Sequence, residues 1–436
     1  MNLINKKLLI QRIESFEFPI GEKKQKAHSL IDGWQKALKD SDLEKTKEKS
    51  VQGKFLNTFF EDILGYTDVT MGQKEWTLIQ HPRIENDSME PDGSLGWFTA
   101  QNKLTRVVIE LKDAKTPLDK KQLSRAGKYT PVEQAYLYAT KYEGCNWIIV
   151  SNFKEIRLYN KQKTQEYYEK FEVLELNNET EFKRFYYLLS KDNLISKDKE
   201  SDIDVLEKNT NAEEQNITKK FYAEFKKIRL NLLDHLINNN SEFTKDVLLE
   251  KTQKLLDRLI FTLVCEDTSS LLPLNIVTNT YERTTNSLSP SDERVWTEFK
   301  GLFLAIDKGN SRVMPPINAY NGGLFAFDSV LDNLKIKDDI WQEMIGLAKY
   351  DFETDLNVNI LGHIFEQSIS DLESIKESIN LVTESGENLI TEDGDRIEVG
   401  IKERTVEKIG KRKKDGIFYT PEYITHYIVE NALEDI

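Results

Sequence analysis

Hydrophobic residues recur at helical spacing through the first 64 positions of the chain, and this spacing predicts helices over 5–19, 23–39 and 44–64. The third helix carries a broad apolar stripe, which consists of Phe55, Leu56, Phe59, Phe60, Ile63 and Leu64. Gly65 comes directly after the stripe, and a glycine in that place is typical of a helix C-terminus. The chain is therefore predicted to begin with amphipathic helices.

Shorter apolar runs follow these helices. They predict strands at 74–84, 106–111, 146–150 and 156–159, and a helix at 131–142 that begins with Pro131. If the residues after a polar turn at Asp92 form a hairpin, the order becomes helix–strand–strand–strand–helix–strand–strand. This order predicts a compact α/β unit, completed by a helix at 179–189 and ending near residue 190.

The rest of the chain has a different pattern. Residues 191–216 are rich in Lys, Asp, Glu and Asn, which predicts a linker. Helical periodicity returns from 217 to about 372, and alternating residues at 387–400 predict a hairpin around Asp393-Gly394. A last helix is predicted to begin at 416–424.

Length and composition limit the class of protein. With 436 residues the chain is too long for one compact core, so two or three domains are expected. No apolar run is long enough to span a membrane, and the N-terminus lacks the apolar core of a secretory signal. Cys145 and Cys265 lie in apolar segments and are predicted to be core residues, which favours a reducing, cytoplasmic setting.

The net charge of −14 argues mildly against nucleic acid as a partner. Two stretches reverse this balance: residues 111–128 contain six basic and two acidic side chains, and residues 401–414 contain seven basic and two acidic ones. Basic stretches of this kind permit an acidic protein to bind DNA. A solvated surface nevertheless explains each stretch better when it is considered alone.

Candidate chemistry is concentrated between residues 91 and 112. Asp92 lies in a polar turn, and a later apolar run leads into Glu110-Leu111-Lys112. Alternate side chains of a strand share a face, so Glu110 and Lys112 point the same way and Leu111 points to the opposite face. Asp92 can reach the same place from a neighbouring strand. Two carboxylates and an ammonium suit a Mg²⁺ site acting on a phosphate, although a surface hairpin with an exposed Glu/Lys pair is the alternative.

Two helices contribute further polar residues. Gln134 and Tyr138 stand four residues apart on one face of the helix at 131–142. The third predicted helix carries three further polar candidates, Glu48, Gln52 and Glu61. A solvent-facing position is expected for each of these three.

Several segments together carry a resemblance to a known family. Pro91-Asp92 with Glu110-Leu111-Lys112 resembles the PD-(D/E)xK nuclease signature, and Gln134 with Tyr138 resembles its QxxxY extension. The segments YNGGLF (320–325), LGHIFEQS (361–368) and GIFYTP (416–421) extend the likeness over essentially the whole chain. The chain resembles the N-terminal part of a type IIG restriction–modification enzyme, in which nuclease, helical connector, adenine-N6 methyltransferase and target recognition share one polypeptide.

The resemblance implies an α/β PD-(D/E)xK nuclease domain at 1–190 and the linker at 191–216. It further implies a mostly α-helical connector domain at 217–400 and the start of an α/β methyltransferase domain at 401–436. For the site it implies that Asp92, Glu110 and the Leu111 carbonyl hold Mg²⁺. Lys112 would orient or activate the water, and Gln134 would assist.

A second cofactor is implied by GIFYTP, which matches the family's motif X, so that Tyr419, Thr420 and Pro421 would contact S-adenosylmethionine. The family's Gly-rich cofactor loop and its (N/D)PPY motif are absent from the sequence. The only Pro pair, at 315–316, lacks the polar and aromatic neighbours that hold a flipped adenine. S-adenosylmethionine binding and methylation are therefore expected only in a longer parent polypeptide, of which this chain would be a fragment or the ordered part, with downstream methyltransferase and target-recognition domains.

The resemblance thus implies a Mg²⁺-dependent type II site-specific deoxyribonuclease of a restriction system, acting on unmodified double-stranded DNA in phage defence. Two alternatives remain. One is a non-catalytic DNA-binding scaffold that positions an adenine methyltransferase, and the other is a repair-type nuclease. Metal-dependent cleavage separates the first alternative from the nuclease hypothesis.

Overall fold

The computed structural model describes residues 2–82, 90–122, 129–267, 271–320 and 323–352, with single positions between 356 and 375. It divides into two compact units, Met1–Ala212 and Glu213–Ile436. The predicted hairpin at 387–400 and the basic stretch at 401–414 lie outside the described residues. The same is true of Tyr419, Thr420 and Pro421.

The first unit combines helices with one six-stranded sheet. Its helices are α1 (Lys6–Ser15), α2 (Glu22–Lys39), α3 (Asp42–Lys45), α4 (Glu48–Phe55), α5 (Pro131–Thr140), α6 (Glu179–Leu189), α7 (Lys191–Leu194) and the beginning of α8 (Asp202–Asn239). Its strands are β1 (Trp76–Gln80), β2 (Gly93–Phe98), β3 (Lys103–Leu111), β4 (Trp147–Ser151), β5 (Glu155–Asn160) and β6 (Tyr168–Glu172). The predicted order of elements is confirmed, and β6 is an addition to it.

The strands lie in the sheet in their order along the chain. All neighbouring pairs are antiparallel except β3 and β4, which are parallel because the crossover through α5 returns the chain to the same end of the sheet. Side chains on the two faces of β3 enter different cores. Ile109 and Leu111 pack into the large helix-covered core, and Val108 packs with residues of α5. The predicted alternation of β3 is therefore confirmed.

The third predicted helix is interrupted in the structure. Thr46 and Lys47 have extended backbone between α3 and α4, and α4 continues into a π-helix, Leu56–Ile63. Every member of the predicted apolar stripe is buried. Aromatic contacts hold this segment in the core, for example between Phe55 and Phe59, whose ring centroids are 4.7 Å apart. The apolar spacing located the buried face correctly, whereas the regular 44–64 helix was wrong.

The predicted linker at 191–216 is also wrong, because α8 begins at Asp202 and the first unit extends to Ala212. Ile203 and Leu206 are almost fully buried in the core of the first unit. Ser201 and Asp204 each accept a hydrogen bond from the other's backbone N–H, at 3.0 and 2.9 Å, which stabilises the helix start. Two well-placed aliphatic residues and a capping pair outweigh the polar composition of this segment.

The second unit is helical, as its periodicity predicted. After α8 its helices are α9 (Lys245–Asp267), α10 (Ile276–Thr285), α11 (Arg294–Lys308) and α12 (Trp341–Ile345), with short 3₁₀ turns at Leu331–Asn333, Asp338–Ile340 and Gly346–Lys349. Its core includes Phe299 stacked on Trp341, with ring centroids 4.4 Å apart. Cys145 in the first unit and Cys265 in the second are both buried free thiols, as predicted. None of the helices among the described residues has the length and apolarity to cross a membrane.

Candidate active site

Asp92 and Glu110 meet because of the pairing between β2 and β3. Gly93 pairs with Ile109, and the same antiparallel register continued by one residue places Asp92 opposite Glu110. A bulge between Leu95 and Gly96 shifts the register by one residue. Without this shift Asp92 would face Ile109, so the bulge decides which side chain Asp92 meets.

Gly96 is the residue that permits the bulge. A Cβ atom at this position would lie 2.0 Å from the carbonyl oxygen of Leu104, which is far inside van der Waals contact. Only glycine therefore allows the two backbones to approach so closely. Gly96, which had no predicted role, thus permits the register that places Asp92 opposite Glu110.

The three residues of the predicted motif converge. Asp92 Oδ2 accepts a hydrogen bond from the backbone N–H of Leu111 at 2.7 Å. The Lys112 ammonium forms a close ion pair with Glu110 Oε1, which confirms that these two side chains share a face. Glu110 is buried and the Lys112 side chain is only 12% exposed. The alternative of an exposed Glu/Lys pair on a surface hairpin is therefore wrong.

Helix α4 brings two more polar side chains to the same place. Gln52 donates from Nε2 to Asp92 Oδ1 at 2.9 Å and to Glu48 Oε1 at 3.0 Å. Gln52 is only 3% exposed and Glu48 is half-buried. The expectation that both face solvent is wrong, because α4 packs with this polar face towards the site. Glu61, the third candidate, lies instead near Asp62 and Asp68.

The site contains more carboxyl groups than Lys112 could balance if all of them were ionised. Burial, with the neighbouring charge of Asp92, raises the pKa of Glu110 to about 8. Burial also raises the pKa of Asp92, against the hydrogen bond from Leu111, and that of Glu48. Burial lowers the pKa of Lys112, but its attraction to the surrounding carboxylates outweighs this and leaves the pKa raised. The ammonium therefore stays charged among acids that resist ionisation.

One carboxylate oxygen of this group has no partner. Glu110 Oε2 is buried and, among the described residues, makes no hydrogen bond. A buried unsatisfied oxygen beside another carboxylate is costly unless a proton or a cation reaches it. The described part of the chain holds no set of three or more His, Cys, Asp or Glu side chains arranged as a metal site. The fit to a divalent cation thus depends on two carboxylates and a backbone carbonyl.

Residues 25–206 match the family described as the MmeI N-terminal domain. The matched residues all lie in the first unit. The match includes every residue of the site described above, and the predicted resemblance to type IIG restriction–modification enzymes is confirmed at this level.

Two individual proteins are also similar to the chain. A protein of Methanocaldococcus jannaschii, provisionally named a type II restriction enzyme and methyltransferase, is 27% identical over a region that covers 67% of this chain. The chain spans only 26% of the length of that relative. The solved DrdV–DNA complex is 15% identical with a TM-score of 0.24, covering 76% of this chain and 29% of that one. A likeness at this TM-score carries no argument.

Two neighbouring side chains hold the side chain of Gln134. Its side chain donates to Tyr138 Oη at 2.6 Å and accepts from Gln122 at 2.9 Å. No hydrogen bond joins it to Asp92 or Glu110 among the described residues. Tyr138 lies near the acids, since burial and the neighbouring charge of Glu110 raise the pKa of Tyr138. Gln134 therefore lies beside the site and contacts it through Tyr138.

The basic stretch after β3 is partly described. Within it Lys112 belongs to the site, and Lys120 and Lys121 are exposed. Arg157 of β5 holds the intervening loop through a bidentate ion pair with Asp119, at 2.6 and 3.0 Å. Arg125 and Lys128 lie outside the described residues. The loop that follows the candidate site thus presents exposed positive charge and is anchored to the sheet.

Proposed function

We propose that the chain is the Mg²⁺-dependent endonuclease portion of a bifunctional restriction–modification enzyme, which hydrolyses phosphodiester bonds of unmodified double-stranded DNA. The observation that carries the proposal is the convergence of Asp92, Glu110 and Lys112 in a buried site, where Glu110 Oε2 has no hydrogen-bond partner among the described residues. The match of residues 25–206 to the MmeI N-terminal domain family supports the restriction context. Cleavage by such an enzyme would be site-specific and of type II.

The residues that would hold Mg²⁺ are Asp92, Glu110 and the carbonyl of Leu111, with Glu48 as a further carboxylate at the edge of the site. Hard carboxylate and carbonyl oxygens are the ligands this cation prefers. When bound, Mg²⁺ supplies Lewis-acid stabilisation of the charge that develops on an attacked phosphate.

Lys112 would act through its charge. Three nearby carboxylates keep its pKa raised, so Nζ holds its proton near neutral pH. A charged ammonium can donate hydrogen bonds to a phosphate oxygen and to the attacking water, and it stabilises the additional negative charge of the transition state. Gln134 would assist by holding the hydroxyl of Tyr138 in place, because Gln134 Nε2 donates a hydrogen bond to Tyr138 Oη.

The test is a cleavage assay on the complete protein with Asp92→Asn and Glu110→Gln. Each variant keeps the shape of the side chain and should reduce Mg²⁺-dependent cleavage of unmodified DNA by about 1,000-fold or more, equivalent to about 4 kcal/mol. Glu143→Gln is the matched control, because Glu143 is exposed in the turn after α5. Calorimetric titration of the DNA-free protein with Mg²⁺ gives a second measurement, in which only the two site variants should lose binding.

If both site variants cut DNA like the wild type, the nuclease assignment is wrong. Absence of cleavage by the wild type with intact DNA binding would favour the non-catalytic scaffold. Cleavage that ignores the methylation state of the DNA would favour a repair-type nuclease.

The methyltransferase part of the proposal concerns a longer polypeptide. We propose that Tyr419, Thr420 and Pro421 contact S-adenosylmethionine only together with downstream methyltransferase and target-recognition domains. A cofactor pocket needs enclosing walls and convergent polar groups, which one terminal segment does not supply. Residues 1–436 alone should therefore bind S-adenosylmethionine negligibly, and calorimetry measures this directly.

A further inference from the structure

The side-chain amide nitrogen of Gln52 donates hydrogen bonds to two carboxyl groups of the site. Its Nε2 lies 2.9 Å from Asp92 Oδ1 and 3.0 Å from Glu48 Oε1. Glu48 and Gln52 are four residues apart on α4, so they share one helix face. Asp92 comes from the start of β2. Gln52 thus joins the helix to the sheet at the point where the acids meet.

The chemistry of the neighbours fixes the orientation of this amide. Both partners are carboxylate oxygens, which accept hydrogen bonds, so the NH₂ group and not the carbonyl oxygen must face them. Its two N–H bonds can be given one to each acid. A neutral glutamine suits this position. A lysine here would compete with a bound cation for the two carboxylates, and another acid would repel them. The side chain is 3% exposed, so water does not compete for these bonds.

The bonds also limit how Asp92 can turn. Its Oδ2 accepts from the Leu111 backbone at 2.7 Å while its Oδ1 accepts from Gln52. Two donors on different oxygens fix the plane of the carboxyl group, and each oxygen keeps a second lone pair for another partner. Glu48 lies half-buried on α4, and its Oε1 accepts the other bond from Gln52 at 3.0 Å.

We propose that Gln52 is a positioning residue of the metal site, which sets the orientation of Asp92 and Glu48 for a divalent cation without binding the cation itself. The proposal rests on the proposed function. Residues that orient metal ligands typically change metal affinity by about 10–100-fold when they are replaced. Gln52 should therefore govern how much Mg²⁺ the reaction needs more than how fast the saturated enzyme turns over.

The experiment compares Gln52→Met with Gln35→Met in the complete protein. Gln35 is a second buried glutamine of the first unit, and its amide donates to the carbonyls of Val173 and Leu174 at 2.9 and 3.1 Å. Gln52→Met removes two hydrogen bonds of a buried amide. Gln35→Met removes three, because Gln35 Oε1 also accepts from Asn177 at 3.2 Å. Both substitutions keep the approximate size of the side chain. They differ in that only Gln52 contacts the acids.

For Gln52→Met we expect the Mg²⁺ concentration at half-maximal cleavage to rise by about 10-fold. The rate at saturating Mg²⁺ should stay within about 3-fold of wild type, and calorimetry without DNA should report the same loss of Mg²⁺ affinity. Gln35→Met should leave the Mg²⁺ requirement unchanged at a comparable loss of thermal stability. If Gln52→Met does not fold, Gln52→Asn replaces it, because an amide one methylene shorter cannot span both carboxylates.

A Gln52 variant with the wild-type Mg²⁺ requirement and affinity would overturn the positioning role while the nuclease assignment stands. An equal shift in Gln35→Met would also overturn it, since the effect would then follow from general destabilisation. Wild-type protein that neither binds Mg²⁺ nor cuts DNA, with Asp92→Asn indistinguishable from it, would overturn the proposed function itself and this inference with it.

Discussion

Two buried groups of charged residues, one in each unit, respond to burial in opposite ways. In the second unit Asp328 accepts from Lys251 at 3.0 Å, from Lys254 at 2.8 Å and from two backbone N–H groups. Burial alone would raise the pKa of Asp328, but these hydrogen bonds outweigh it and hold the pKa well below its usual range. In the candidate active site the same residue type, Asp92, has a raised pKa because burial prevails.

The difference lies in the charge balance. Two lysines surround Asp328, and Arg258 nearby is matched by Asp332 at 3.1 Å and by two carbonyls. In the site a single lysine faces three acids. A balanced buried group stabilises the fold by itself, whereas an unbalanced one is stabilised by a ligand that brings the missing charge. The balance of acidic and basic side chains therefore distinguishes a structural cluster from a candidate site better than the degree of burial does.

The largest expected effect of this contrast is on cleavage. Lys112→Met should lower the rate of DNA cleavage by about 1,000-fold, equivalent to about 4 kcal/mol, because Nζ stabilises charge only at the reacting phosphate. DNA affinity should change by less than about 3-fold, since one cation among several contributes little to binding. Lys251→Met is the control and should leave the cleavage rate unchanged. Equal losses of binding and cleavage in Lys112→Met would reduce this residue to a phosphate anchor.

The next effect concerns stability, and its sign should differ between the two groups. Asp328→Asn removes the carboxylate that Lys254 contacts and leaves Lys251 with only the exposed Glu250, so it should destabilise the protein by about 3 kcal/mol. Glu110→Gln removes an unbalanced buried charge and should stabilise the divalent-ion-free protein by about 1 kcal/mol at pH 8. Calorimetric unfolding of both variants beside wild type measures the two changes. Destabilisation by both would mean that the site is a balanced structural cluster as well.

The last expected effect is a pH dependence that belongs to the site alone. The folded pKa of Glu110 is about 8 and lies above its ordinary value of 4.5, so between these pH values the folded protein holds a proton that the unfolded chain has released. Stability of the divalent-ion-free protein should therefore fall, by about 2 kcal/mol, as the pH rises from 5 to 7. Denaturation of wild type and Glu110→Gln across this range tests it, and an equal slope in both would contradict the assignment.

Much of the first unit could be predicted from sequence, because its elements are local. The helix at 179–189 agrees with α6 at both ends, and the strand containing Glu110 was located through its apolar run. The prediction from sequence was wrong where a few residues, and not the average composition of a segment, decide the structure. The segment 191–216 looked like a linker by composition, although its Ser201 and Asp204 form a cap that two buried aliphatic residues complete.

The sequence by itself determined that Glu110 and Lys112 share a face, because alternation along a strand depends only on the backbone. It also determined that Asp92 was the candidate partner. The tertiary structure decided that they meet, through a bulge that only the close approach at Gly96 permits. It alone joined Glu48 and Gln52 to the acids, since the bond from Gln52 to Asp92 spans 40 positions and depends on how α4 packs. Local periodicity sets which way a side chain points from its own element, and only packing sets what it meets there.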